Sequence, residues 1–131
     1  MKIYVAGNRH DIPRIQHLMA KIEQMGHTIT HDWTEQSKGL DAEAYSTSEL
    51  ARKAVEDIEG VRKAELVVAL LDQDLIYRGA LGEVGAALAL GKPVAIIGEQ
   101  RQFVFFYHPS VSHRISVDDF LGSLESGWFG R

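Results

Sequence analysis

Leu66-Val-Val-Ala-Leu-Leu71 runs for six positions without a polar side chain. A strand with one wet face alternates, so an unbroken apolar run belongs to a strand covered on both faces, as in parallel sheets flanked by helices. The rest of the chain repeats the theme. Ile3-Tyr4-Val5-Ala6 is a short apolar run closed by Gly7-Asn8, Thr28 to Asp32 reads as a second strand, Val94-Ala-Ile-Ile97 as a fourth, and a weaker fifth lies near Ile115. Helical patterns fall between them. Asp11 is placed to cap a first helix, with Pro13 in its first turn and Ile12, Ile15, Met19 and Ile22 on one face until Gly26. Ser46 and Glu49 have capping-box spacing, and Leu50, Ala54, Ile58 and Val61 make the apolar face of a second helix. A third runs up to Gly91-Lys92-Pro93, and a last begins near Asp118. The alternation predicts one α/β domain over residues 1–131, a Rossmann-like three-layer sandwich around a five-stranded parallel sheet of order 2-1-3-4-5. Ligands of such sheets sit beyond the C-terminal strand ends at the switch point, so residues 6–10, 72–79 and the start of the third helix are expected to meet.

Composition narrows the partners. The net charge is −4 and the fourteen Lys and Arg residues are scattered, which argues against a nucleic-acid backbone or an anionic membrane as partner. With no cysteine, disulfides and thiol chemistry are excluded. Neither a signal segment nor an apolar run of membrane-spanning length is visible, which reads as a soluble cytoplasmic protein. Residues 34–45 are polar and aperiodic, a loop long enough to cover a site.

Glu83 is the only charged residue between Arg78 and Lys92. A helix apolar on nearly every side is buried, and a buried carboxylate costs several kcal/mol unless compensated. The start of its helix is expected to hold Glu83 ionised at neutral pH, and it is either a satisfied helix-start acid or a group kept for chemistry as a nucleophile. Gly79, Gly82 and Gly85 leave room beside it. Asp57 follows Leu50 by seven residues and Ala54 by three, on the apolar stripe of the second helix. It either bonds a neighbouring backbone group or serves the same crevice. Tyr4 reaches toward that crevice from the first strand or simply fills the core. Two acids and a phenol around a crevice suit glycosyl transfer, with one carboxylate attacking an anomeric carbon and a second group handling the leaving group's proton.

Other patterns carry less. Gly79-x-x-Gly82-x-x-Gly85 opens some seven residues after its strand, not at the strand end that a dinucleotide fingerprint requires. A receiver domain would need acids where Gly7-Asn8 stand. His27 and His31 are too far apart for one metal ion, and the six histidines read as surface or loop residues. Trp33 ends the second strand, placed either to stack on a base or to anchor a loop. Phe103-Val-Phe-Phe-Tyr107 reads as core or subunit packing and argues against a monomer.

Ile3-Tyr-Val-Ala-Gly7, Asp57-Ile-Glu-Gly-Val61 with Ala64-Glu-Leu-Val-Val68, and Gly79-Ala-Leu-Gly-Glu-Val-Gly-Ala-Ala-Leu-Ala-Leu-Gly-Lys-Pro93 together resemble the nucleoside 2-deoxyribosyltransferases and the related 2'-deoxynucleoside 5'-phosphate N-hydrolases. The resemblance implies a flavodoxin-like fold, no metal or organic cofactor, a nucleoside or nucleotide as small-molecule substrate, and a homodimer or higher assembly with shared sites. It implies that Glu83 attacks C1' of the sugar, that Asp57 contacts and helps protonate the base, and that Tyr4 orients the nucleophile. Water or a second base then completes hydrolysis or transfer with retention. The chain also departs from the pattern. Tyr77, with Asp74 nearby, stands where free-nucleoside transferases bond the sugar hydroxyl through an Asp. Gly7-Asn8-Arg9-His10 replaces the hydrolases' serine-bearing phosphate loop, leaving Arg9 and backbone N–H groups for a phosphate. Tyr107, His108 or Ser110 stand where a neighbouring subunit supplies Asn or Ser. These departures motivate an alternative on the same fold, a non-catalytic nucleotide-binding or sensing module.

Overall fold

The structure is a computed structural model and describes residues 1–35 and 45–130. Five strands, β1 (Lys2–Ala6), β2 (Thr28–Ile29), β3 (Leu66–Leu70), β4 (Val94–Ile97) and β5 (Val111–Arg114), form one parallel sheet in the order β2-β1-β3-β4-β5. The helices are α1 (Ile12–Gln24), α2 (Thr47–Lys63), α3 (Gly79–Ala89) and α4 (Val117–Glu125). The architecture and strand order are those expected from the sequence.

Continuous apolar strands need cover on both sides, and the core splits accordingly. Tyr4, Ala6, Val67, Ala69 and Ile96 face Val61 of α2 and Ala80, Val84 and Ala87 of α3. The alternate positions, Ile3, Val5, Val68 and Ile97, face Ile15, Leu18 and Ile22 of α1 and Phe120 of α4. Every residue of β3 is buried. The capping box predicted for α2 forms, with Ser46 Oγ accepting from the Glu49 N–H and the Glu49 carboxylate accepting from the Ser46 N–H. At the end of α3, Gly91 has φ +72°, a conformation that suits glycine and ends the helix before Lys92-Pro93.

Three local expectations change. β2 is two residues long, because beyond Ile29 the side chains turn to other tasks, Thr30 Oγ1 donating to the Gly60 carbonyl. Asp11 occupies the N-cap position of α1 but its carboxylate accepts from Arg14 instead of from the helix. Most of the expected apolar face of α2 is exposed, Leu50, Ala54 and Ile58 included, with Gly60 and Val61 the buried positions. Length explains this last change. Seventeen helical residues span about 25 Å against roughly 16 Å for a five-residue strand, so the early turns of α2 stand beyond the sheet as a wall above the strand ends. Among the described residues no helix is long and apolar enough to cross a membrane. The expected covering loop falls on residues 36–44 for the most part, outside the described residues.

Candidate active site

Tyr4, Asp57 and Glu83 come from β1, α2 and α3, and the packing of those three elements brings them together. The point of contact between α2 and the sheet is Gly60. A Cβ there would lie 2.8 Å from two ring carbons of Tyr4 and 2.9 Å from Cβ of His31, so only a glycine lets the helix come this close. Asp57 sits one turn earlier, just above this contact. Gly60→Ala is expected to lose about 1–3 kcal/mol by overpacking, read as a lower urea midpoint with an unchanged m-value. A midpoint within error of the parent would mean that α2 has slack at this point.

The electrostatics are set by burial. Glu83 is the fifth residue of α3 and lies past the first turn, so the helix start does not hold it ionised as the sequence suggested. Burial pushes its pKa up to about 8, with Asp57 adding in the same direction and the Tyr4 hydroxyl opposing. Burial also raises the Asp57 carboxyl, while His31 and Lys53 pull it down. Tyr4 is completely buried and its phenol is raised far above the ordinary value, first by burial and then by the charges of Glu83 and Asp57. Tyr4 and Glu83 thus sense each other, and both sense Asp57. Tyr4 Oη, Asp57 Oδ1, Glu83 Oε2 and the adjacent Glu56 Oε2 are all buried without a completed hydrogen bond. Buried polar oxygens are nearly always paired, so Tyr4 Oη and Glu83 Oε2, left open beside each other, mark a candidate place for a ligand.

The neighbouring frame is stiff. Arg14 donates two hydrogen bonds to Asp72 at 2.8 Å and one to Asp11 at 2.9 Å, tying the segment after β1 to the segment after β3. These bonds to Asp72 raise Arg14 above its ordinary range, and the same guanidinium holds Asp72 below its own. The Asn8 amide is consumed structurally, accepting from the His10 N–H and donating to the Ile76 carbonyl. The signal for the Arg14 fork, an acid directly after a buried strand, was present in the sequence and unused.

Other expected site residues take different positions. Gly7 lies where β1 meets α1, and a Cβ there would meet Ile15 Cδ1 at 2.6 Å. Arg9 begins the short 3-10 turn Arg9–Asp11 beside it. Gly79 lies under Glu83, 3.9 Å from Oε1 to a built Cβ, while Gly82 and Gly85 border open space. Tyr77 is buried and its hydroxyl bonds the backbone of Gln73, which directs it into the 72–77 turn. Trp33 donates its indole N–H to the Val5 carbonyl at 2.8 Å and packs, partly buried, against both halves of the core, which anchors the segment after β2. Tyr107 and His108 belong to the β4–β5 connection, where the Tyr107 hydroxyl donates to the Arg101 carbonyl and His108 Nδ1 accepts from the Ser110 N–H. Of the aromatic cluster only Phe106 is buried. His31 stands in the loop after β2, as expected of the histidines, but its side chain is mostly buried, with Nε2 3.4 Å from Asp57 Oδ1 and 3.9 Å from Glu56 Oε2. A histidine just past a short strand carried no periodic signal that could have marked it.

Two cavities flank the 72–78 segment, one of about 440 Å³ lined by Asp72, Gln73, Asp74, Glu99 and Gln100, the other of about 400 Å³ lined by Leu75, Tyr77, Leu81, Phe103 and Phe106. Glu83 lines neither. Among the described residues no group of three or more His, Asp and Glu is arranged to hold a metal ion.

The sequence model of the family described as "Nucleoside 2-deoxyribosyltransferase" matches residues 3–122. No curated protein sequence matches the chain. Among solved structures, a 2-deoxyribosyltransferase from Bacillus psychrosaccharolyticus superposes with a TM-score of 0.74 at 20% identity, covering 92% of this chain and 90% of its own. A CMP N-glycosidase from Clostridium botulinum does so with 0.66 at 16% identity, covering 96% and 99%. A conserved protein from Enterococcus faecalis V583 gives 0.67 at 23% identity, covering 96% and 98%. At these identities the likeness is one of fold.

Proposed function

The chain belongs to the nucleoside 2-deoxyribosyltransferase family, and we propose that it cleaves, or exchanges the base across, the N-glycosidic bond of a nucleoside or nucleoside 5'-monophosphate. The observation that carries this reading is the meeting of Tyr4, Asp57 and Glu83, with Tyr4 Oη and Glu83 Oε2 buried and left unpaired. Burial raises both carboxyls, so that one of the two can hold a proton while the other is ionised, which is what the first step needs. A Glu83 oxygen gives an electron pair to C1', the C1'–N bond breaks toward the base, and the Asp57 carboxyl proton passes to the departing base. The product is a glycosyl ester of Glu83 with Asp57 ionised. Water or a second base then attacks C1', the ester bond breaks back to the Glu83 carboxylate, and Asp57 takes the proton of the incoming nucleophile. Two inversions give net retention. The Tyr4 hydroxyl donates toward the Glu83 carboxylate and fixes the attacking oxygen. Arg9 and the N–H groups after β1 are the groups nearest to hand for a 5'-phosphate.

The test is a panel of nucleosides and monophosphates, with and without a second free base, followed by chromatography. Release of free base alone makes the protein a hydrolase, and a new nucleoside makes it a transferase. Calorimetric binding of a nucleotide with no base released over hours would replace this reading with the non-catalytic one.

The site is proposed to be shared between copies of the chain. Helix α3 is apolar around its whole circumference, yet only Ala80, Val84 and Ala87 are buried in one chain. Beside it α2 exposes Val55 at 64% and Ile58 at 38%. An apolar helix needs cover on all sides, and Gly82, with open space where a Cβ would be, lets another backbone come close. Sedimentation is expected to show a dimer or larger species at micromolar concentration, and Val55→Glu to shift it to monomer. A wild-type monomer at tens of micromolar would end this part of the reading.

A further inference from the structure

The sequence offers no reason for a histidine after β2, and the proposed reaction as written does not use one. Yet His31 Nε2 is aimed at two buried carboxylate oxygens, Asp57 Oδ1 at 3.4 Å and Glu56 Oε2 at 3.9 Å, neither of which has another hydrogen-bond donor among the described residues. Its placement is over-determined. The Thr30 hydroxyl just before it is bonded to the Gly60 carbonyl at 2.7 Å, and Cβ of His31 rests against Gly60, where a methyl group would come within 2.9 Å. The imidazole is therefore locked to α2 one turn from Asp57.

Resting on the proposed function, we infer that His31 is a positioning residue for Asp57: its Nε2–H ties down Oδ1, so that Oδ2 is the oxygen that carries a proton to the leaving base. Without that tie the Asp57 side chain has no hydrogen bond to choose between its two oxygens, and carboxylates turn readily about their terminal torsion. The other charged groups around His31 do not substitute for it. Arg52 approaches Glu56 through the other oxygen, Oε1, at 3.8 Å. Lys53 acts on Asp57 only through its charge. Asp32, next in the chain, accepts from the Thr34 N–H and hydroxyl. Tyr4 and Glu83 approach from β1 and α3 as partners of the reaction. The Nε2 tautomer also follows, because a nitrogen facing two acids must carry the hydrogen.

Three variants separate orientation from bulk structure. His31→Leu is expected to lower kcat for base release by about ten- to a hundredfold with KM within about twofold. His31→Gln, whose terminal NH2 reaches the place of Nε2, is expected to recover most of that loss, and His31→Asn, whose amide reaches only the place of Nδ1, is not. In an Asp57→Asn background His31→Leu is expected to have little further effect, since both act through one carboxyl. A His31→Leu enzyme within twofold of wild type, Gln no better than Asn, or a fully additive double variant would each overturn the inference. Imidazole nitrogen NMR reads the tautomer without any turnover. If no substrate in the panel is cleaved, the functional reading fails, but an Nε2–H signal for His31 that moves on Asp57→Ala would still support the pairing. An Nδ1–H tautomer in an active enzyme would sink the pairing and leave the functional reading standing.

Discussion

Glu83→Ala is expected to cut base release by about a thousandfold or more, a loss of about 4 kcal/mol or more in transition-state stabilisation, while the fold survives. Glu83→Asp keeps the charge but withdraws the attacking oxygen by about one bond length. Displacements of about 1 Å can cost a hundredfold, so this variant is expected to be severely impaired. Release of free base by Glu83→Ala at near the parent rate would remove Glu83 from the reaction. The same residue has a signature in stability. Its folded-state pKa of about 8 lies above the ordinary 4.5 because burial disfavours the charge. Between those two values the folded chain keeps a proton that the unfolded chain has lost. Stability from this group is therefore complete below about pH 4.5 and is lost as pH rises through about 8, a difference on the order of several kcal/mol. Thermal unfolding across that window should show the decline, and Glu83→Gln should flatten it. An unchanged slope in Glu83→Gln would mean that the carboxyl is hydrated in solution.

Asp57→Asn is the second large effect. The amide cannot pass on a proton, and loss of a positioned general acid costs roughly a hundred- to ten-thousandfold. The loss is expected to shrink for a base that departs readily as an anion, because little proton transfer is then needed. The pH profile carries the sharper signature. If the pair works with one shared proton, kcat/KM falls on the acid side as both carboxyls become protonated, and falls again above about pH 8 as the last proton leaves. In Asp57→Asn only Glu83 has to ionise. The alkaline limb then reverses, and the residual rate rises through the Glu83 pKa to a plateau. An alkaline fall that survives in Asp57→Asn would place the proton on another group.

How much of this the sequence disclosed depends on which force decides each residue. Strand order and layering were legible because continuous runs such as Leu66 to Leu71 have only one way to be dry on both sides. The two carboxyls of the candidate site stood out because a lone carboxylate in an apolar helix and an acid on an apolar stripe are conspicuous. What could not be read was decided by tertiary fit. Nothing local says which turns of α2 lie over the sheet, so Leu50 and Ile58 looked internal and are exposed. The ionisation of Glu83 depended on its being fifth and not first in α3, a shift of one turn that periodicity does not resolve. Trp33, Asn8 and Tyr77 looked like ligand contacts because they fall near strand ends, yet each uses its polar atoms on nearby backbone. His31 needed Gly60, which is 29 positions away in sequence, to give it a purpose.

Arg14 on Asp72 and Asn8 on the Ile76 carbonyl form a double clamp. It pins the 72–76 stretch near both its ends to the turn after β1, while the attacking group stands on a separate helix. Residues between the pins, such as Gln73 and Asp74, can be exchanged without disturbing the carboxylate that does the chemistry.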